Sequence, residues 1–212
     1  MKIVAIVIVA LAGFAVWKYG FSSSEETTGV SEENVLLTVT DKDWVKGKSE
    51  APVTLIEYTD FQCPACGAYY PILDQLSKDY EGKLRIVIRH FPLIQIHKNA
   101  LPSARAAEAA GRQGKFWEMY DLLFANQAEW SAAENPMMSI FPAYAGRAGL
   151  DVERFRQDMA DASLDDKIEQ DRKTGNELKI PGTPSFFLNG EKLESPRSLE
   201  DFKKKIESEI AG

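Results

Sequence analysis

The sequence predicts an α/β domain interrupted by a block of helices and preceded by an apolar N-terminal segment. Three observations carry that expectation. A β-branched and aromatic run at residues 53–58 is followed at once by Cys63-Pro64-Ala65-Cys66 and a helix-like stretch. The chain as a whole then reads strand, helix, strand, helices, strand hairpin, helix. Ahead of all this, residues 3–17 are unbroken apolar sequence, IVAIVIVALAGFAVW.

That run has no polar face, which argues against a helix of a globular core. Extended to Phe21, it approaches the about 20 residues a bilayer needs. Lys2 and the α-amino group form a short positive flank, and no convincing small-x-small cleavage site and no lipid-attachment cysteine follow. Residues 1–21 are therefore expected to form an uncleaved signal anchor, a single transmembrane helix with its N-terminus inside. A cleaved signal peptide is the alternative. Residues 22–34 are polar, acidic and aperiodic, as in a flexible linker.

Residues 35–212 make up the expected folded domain. Residues 35–39 could open it as a strand, and 42–51 are turn-like and charged. Residues 53–58, VTLIEY, have the β-branched and aromatic content of a strand. Tyr69, Ile72, Leu73 and Leu76 recur at helical spacing across 68–80. Pro64 suits the first turn of that helix, where a missing N–H costs nothing. Residues 84–89 alternate as a second central strand, ending at His90-Phe91-Pro92. A helical insertion is expected from about 97 to 178. Within it, Phe116, Tyr120, Leu123 and Phe124 make one apolar face. Leu150 and Phe155 flank Asp151 like a staple around an N-cap. Leu164 and Ile168 continue on a charged helix that Gly175 should interrupt or end. These aromatics are assigned to packing, since burying each contributes about 1.5–3 kcal/mol. Strand character returns at 185–188, Asn189-Gly190 is a hairpin turn, and Glu191-Lys192-Leu193 runs back. A last helix starts at Ser198, capped with Asp201, and buries Leu199, Phe202, Ile206 and Ile210.

The chain holds only two cysteines and two histidines among 212 residues. Its net charge of −7, without a basic stripe, argues against nucleic acid as the main partner. Two thiols three positions apart can exchange between dithiol and disulfide with little backbone movement. Their place between strand and helix adds free N–H groups and partial positive charge, both favouring a thiolate. The thiolate is the attacking species in disulfide exchange. Cys63 should be the low-pKa nucleophile and Cys66, one turn inside, the resolving thiol. A structural disulfide is a competing reading, although so short a loop constrains the unfolded chain little. A zinc site from Cys63, Cys66, His90 and His97 would lack the usual paired spacing. Glu57, six residues before Cys63, is either a buried acid on a central strand or an outward, solvated one. A location beyond the membrane would fit redox-active thiols, because disulfides persist there.

Several of these segments together resemble the thioredoxin fold, and more closely the DsbA-like thiol–disulfide oxidoreductases with a helical insertion. They are Ala51-Pro52-Val53-Thr54, the stretch from Glu57 through Cys66, Arg89-His90-Phe91-Pro92-Leu93, residues 114–119 (GKFWEM), and Gly182-Thr183-Pro184-Ser185-Phe186-Phe187. The resemblance spans about residues 35–212. It implies a cis proline at Pro184 beside the cysteines, with the Thr183 backbone free to pair with an extended substrate strand. It implies that Glu57 assists proton transfer at Cys66, for which a raised pKa is suited. It further implies an extracytoplasmic enzyme that donates its disulfide to reduced client proteins. A DsbB-like or vitamin-K-epoxide-reductase-like membrane partner would reoxidise it, and no metal or organic cofactor is called for. A disulfide reductase or isomerase, or a non-catalytic binding or regulatory module, is the alternative. Strongly oxidising members carry histidine just before the second cysteine; here that place is Ala65.

Overall fold

The structure is a computed structural model, and it describes residues 32–194 and 196–212. Residues 1–21, expected to anchor the chain, and the linker as far as Ser31 lie outside the described residues. Among the described residues no helix is long and apolar enough to cross a membrane.

A five-stranded mixed sheet forms the centre, in the order β1-β3-β2-β4-β5. Its strands are β1 (Trp44–Lys46), β2 (Val53–Thr59), β3 (Leu84–His90), β4 (Ser185–Leu188) and β5 (Glu191–Leu193). β2 runs parallel to β3, and α2 (Pro64–Asp79) makes the crossover between them. β4 is antiparallel to β2, with Glu57 opposite Phe186 and Tyr58 opposite Ser185. Asn189 and Gly190 both take positive φ, 47° and 89°, as the two-residue hairpin turn requires.

Alternation along β2 sends Val53, Leu55 and Glu57 to one face and Ile56 and Tyr58 to the other. Both faces are buried. On the first face the core gathers Leu73 and Leu76 of α2, Phe186 of β4, and Phe202 and Ile206 of the last helix. The helices between β3 and β4 add to it. These are α3 (Ala100–Gly111), α4 (Phe116–Ala125), α5 (Gln127–Trp130), α6 (Ile140–Arg147), α7 (Val152–Ala160) and α8 (Asp165–Glu177). Phe116, Tyr120, Leu123 and Phe124 are buried there as one face of α4. The second face packs Ile56, Tyr58, Val87 and Phe187 against Leu37 and Ile180. Two caps read from the sequence are formed. Asp151 accepts from the Glu153 and Arg154 amides at α7. Ser198 accepts from the Asp201 amide at the final helix, α9 (Leu199–Ala211). In α9, Phe202 and Ile206 are buried, and Leu199 and Ile210 pack partly buried at its edge.

Three expectations are corrected. Residues 35–39 are not a strand: α1 spans Glu32–Leu36, taking in the last residues assigned to the linker, and irregular chain follows. The carbonyls of Leu36 and Thr38 are taken by the buried Arg89 guanidinium, at 2.6 and 2.8 Å, so they are not offered to a ladder. The turn-like stretch that follows contains β1, which Trp44 fixes by stacking on Phe116 at 4.3 Å. Finally, Gly175 neither breaks nor ends α8. A Cβ there would stand 2.7 Å from the Phe91 ring, so glycine lets the helix approach that side chain.

Candidate active site

The two cysteines sit where β2 gives way to α2. Cys63 is the residue capping the helix, at φ −68° and ψ 121°, and Pro64 follows in the first turn. Its amide donates to the Asp60 carbonyl at 3.0 Å, and its carbonyl accepts from the Gly67 amide at 3.1 Å. Both thiols are free. Cys63 keeps 7% of its surface exposed and Cys66 only 1%, which makes the first the accessible one.

The thiol of Cys63 donates to the carbonyl of Thr183 at 3.4 Å. Thr183 precedes Pro184 through a cis peptide bond. The Cys63–Thr183 hydrogen bond holds the loop entering β4 against the first turn of α2, some 120 residues earlier in the chain. A cleft of about 310 Å³ opens beside it, lined by Gly182, Thr183, Pro184, Lys192 and Leu193. A larger cleft, about 530 Å³, lies elsewhere, against Trp44, Glu108 and Lys167, and neither thiol lines it.

The electrostatics separate the two sulfurs. A hydrogen bond from the Cys66 thiol, joined by the backbone N–H groups of Cys66 and Ala65, outweighs burial and lowers the Cys63 thiol to about 5. Burial pushes Cys66 well above the ordinary thiol value, and the charges of Glu57 and Cys63 push it further. Burial likewise raises Glu57 to about 8, with the nearby Cys63 thiolate adding to the effect. Glu57 is 1% exposed, and among the described residues neither carboxyl oxygen has a hydrogen-bond partner. The outward, solvated alternative for Glu57 is thus not the arrangement seen.

Cys63, Cys66, Thr183 and Pro184 are brought together, with Glu57 buried behind on the face of β2 that meets α2. The histidines are elsewhere engaged. His90 ends β3, with Nε2 at 2.7 Å from the Glu108 carboxylate, which also accepts from Trp44 Nε1 at 2.6 Å. His97 precedes α3, with Nδ1 at 2.7 Å from Asp60. That carboxylate also accepts from the amides of Gln62 and Leu93, at 2.8 and 3.0 Å. Residues that the sequence did not single out tie the Cys63 turn to the helical block. Gln62 Nε2 donates to the Ser131 carbonyl at 2.7 Å, and its Oε1 accepts from the Asn99 amide at 2.6 Å. Gln127 Nε2 donates to the carbonyls of Phe61 and Cys63. These bonds join residues 37 to 69 positions apart and leave no local pattern to read.

A family model described as thioredoxin matches residues 39–208. Among solved structures, Wolbachia pipientis α-DsbA1 superposes with a TM-score of 0.75 at 24% identity, over 84% of this chain and 96% of that one. Oxidised BdbD from Bacillus subtilis does so at 0.72 and 22% identity, over 81% and 94%. At such identities the likeness establishes the fold alone. A curated relative, the Na(+)/H(+) antiporter NhaA 3 of Salinispora tropica, is 42% identical over 171 residues, covering 81% of this chain and 25% of that protein. The chain therefore spans about a quarter of the length of that relative.

Proposed function

This chain belongs to the thioredoxin family, and from that premise we propose that it is an extracytoplasmic, DsbA-like protein thiol–disulfide oxidoreductase that donates a Cys63–Cys66 disulfide to client proteins. One observation carries the reading. Cys63 caps α2 with a thiol lowered to about 5, the buried Cys66 lies one turn behind it, and the loop of Thr183 and Pro184 lies alongside.

In the oxidised protein a client thiolate attacks Cys63 Sγ. The Cys63–Cys66 bond breaks, a mixed disulfide forms, and Cys66 leaves as a thiolate. Glu57, kept protonated by its burial, supplies the proton that Cys66 requires. The client's second thiolate then attacks its own sulfur in the mixed disulfide and expels Cys63. That departure is favoured because a low-pKa thiolate is a good leaving group. Two electrons pass from client to enzyme, and a membrane partner, DsbB-like or vitamin-K-epoxide-reductase-like, takes them to restore the disulfide. The Thr183 backbone would pair with an extended client segment, giving recognition that reads little of the client's sequence. In the same proposal residues 1–21 anchor the chain, 22–34 tether it, and 35–212 form the thioredoxin-like domain with its insertion at about 97–178.

The test is the redox equilibrium of the cysteine pair against glutathione. A potential well above about −270 mV, towards the −120 mV end of the known range, supports a disulfide donor. A value at the thioredoxin end turns the reading to a reductase fed by a membrane partner.

A second reading draws on the relative named as an Na(+)/H(+) antiporter. The thioredoxin fold would then serve as a non-catalytic module that binds or regulates a membrane transporter. Replacing both cysteines separates the two: a binding module keeps its function, and an oxidoreductase loses it.

A further inference from the structure

Gln127 opens the short helix α5, yet its side chain reaches back to the cysteine turn. Its Nε2 donates to the Phe61 carbonyl at 2.7 Å and to the Cys63 carbonyl at 2.9 Å. Both of its amide hydrogens are thus spent on the two carbonyls that flank Gln62. The other side of the amide rests on Gly67. A Cβ at that position would stand 2.7 Å from Gln127 Oε1 and 3.1 Å from its Cδ. Glycine therefore leaves room for this one amide, and the Cys63 carbonyl serves both Gln127 and the Gly67 N–H.

The surrounding amides close the same seam. Asn99 Nδ2 donates to the carbonyls of Trp130, Ser131 and Ala133, and Gln62 bridges the Asn99 amide and Ser131. The C-terminal end of α5 is pinned, so Gln127 is presented from a fixed base. Without Gln127 the Phe61 carbonyl would lose this donor and the Cys63 carbonyl would keep only the Gly67 N–H, so the turn would be less firmly held.

We propose that Gln127 is a positioning residue, holding the Phe61–Cys63 turn against the helical block so that the Cys63 sulfur faces the Thr183 carbonyl at the N-terminus of α2. It rests on the reading of Cys63 as the nucleophile. It adds that the insertion helps to set the reactivity of that sulfur.

The experiment measures the alkylation rate of Cys63 by iodoacetamide against pH, in the reduced full-length chain. Gln127→Ala is expected to move the midpoint up by about one unit, slowing alkylation at pH 5 by roughly three- to tenfold. Gly67→Ala, which pushes the amide off its carbonyls, is expected to give a shift in the same direction. In the Gln127→Ala background the same change at Gly67 should add nothing. A lowered melting temperature with a midpoint within about 0.2 units of the parent would make Gln127 a packing residue only, and overturn the proposal. Should Gln127→Ala fail to fold, an unmoved midpoint in Gly67→Ala overturns it equally. A parent midpoint near the ordinary value of about 8.5 would instead sink the nucleophile reading. A low parent midpoint with unmoved variants sinks the role of Gln127 alone.

Discussion

Glu57 and Cys63 titrate in opposite directions from their ordinary values, and the two redox forms of the protein keep their effects apart. Glu57 is raised to about 8, chiefly by burial. Its contribution to stability is fully present below the unfolded carboxyl value of about 4.3 and is lost as pH rises through the folded one. Cys63 is lowered to about 5. Its contribution is present above the unfolded thiol value of about 8.5 and is lost as pH falls through 5, in the reduced form only. The oxidised protein has no thiol to titrate, so Glu57 acts there unopposed. Denaturant unfolding of the oxidised chain is expected to show a fall in stability between pH 5 and pH 8 on the order of 2 kcal/mol. In Glu57→Gln that component is absent; equal slopes in the two proteins would show that the carboxyl does not titrate as argued. Ala65 offers a second probe. A histidine there would place a cation beside the Cys63 thiolate and stabilise the reduced form. The glutathione equilibrium of Ala65→His should shift to a more oxidising potential, about 30 mV for each tenfold change. An unchanged or lowered potential would mean that the α2 amides already satisfy the thiolate.

At the scale of elements, local patterns were legible where the interactions that decide them are local. The central strands, the Asn189-Gly190 hairpin and the Asp151 and Ser198 caps all follow from neighbouring residues. Residues 35–39 read as a strand because Val35, Leu36 and Leu37 are apolar in a row, whereas Arg89 takes the carbonyls of Leu36 and Thr38 from 53 and 51 positions away. β1 is three residues long and exists through pairing with β3, where Trp44 lies opposite Ile88. Gly175 shows the same limit. An exposed helix glycine replaced by alanine usually gains roughly 0.5–1 kcal/mol. Here the added Cβ would meet Phe91 at 2.7 Å and Ile180 at 3.1 Å. Gly175→Ala is therefore expected to destabilise by about 1–3 kcal/mol, as overpacking does. Thermal unfolding decides it: a raised melting temperature would mean that Phe91 yields at no cost. By contrast, Asp151→Ala should lose about 1 kcal/mol, since its carboxylate caps α7 through two amides. An unchanged melting temperature would show those bonds to be replaced by water.

Across the whole molecule, the cysteine pair and the Thr-Pro step were legible as motifs, whereas their meeting depends on β4 pairing with β2. That pairing brings Ser185 opposite Tyr58 and so delivers Thr183 to Cys63. Whether Glu57 pointed inward was not legible, because a strand buried on both faces shows no alternation to settle it. Asn99 and Gln127 had no signature, and Gln62 stood in the cysteine motif without any sign of its partners, since amide side chains are ordinary surface residues until folding brings carbonyls to them. Among the described residues, the side chains placed at the thiols all come from residue 57 onward. The N-terminal segment should accordingly govern where the protein resides and leave the chemistry of the thiols alone. The full chain is expected to stay with membranes through an alkaline carbonate wash, and a chain lacking residues 1–21 to leave them. Both should share the same glutathione equilibrium to within about 10 mV, a factor of roughly two in the constant. A difference of 30 mV or more would be about tenfold, which only a direct effect on the cysteine pair could produce. It would mean that residues 1–21 bear on the chemistry of the thiols, and the separation of location from chemistry would fall.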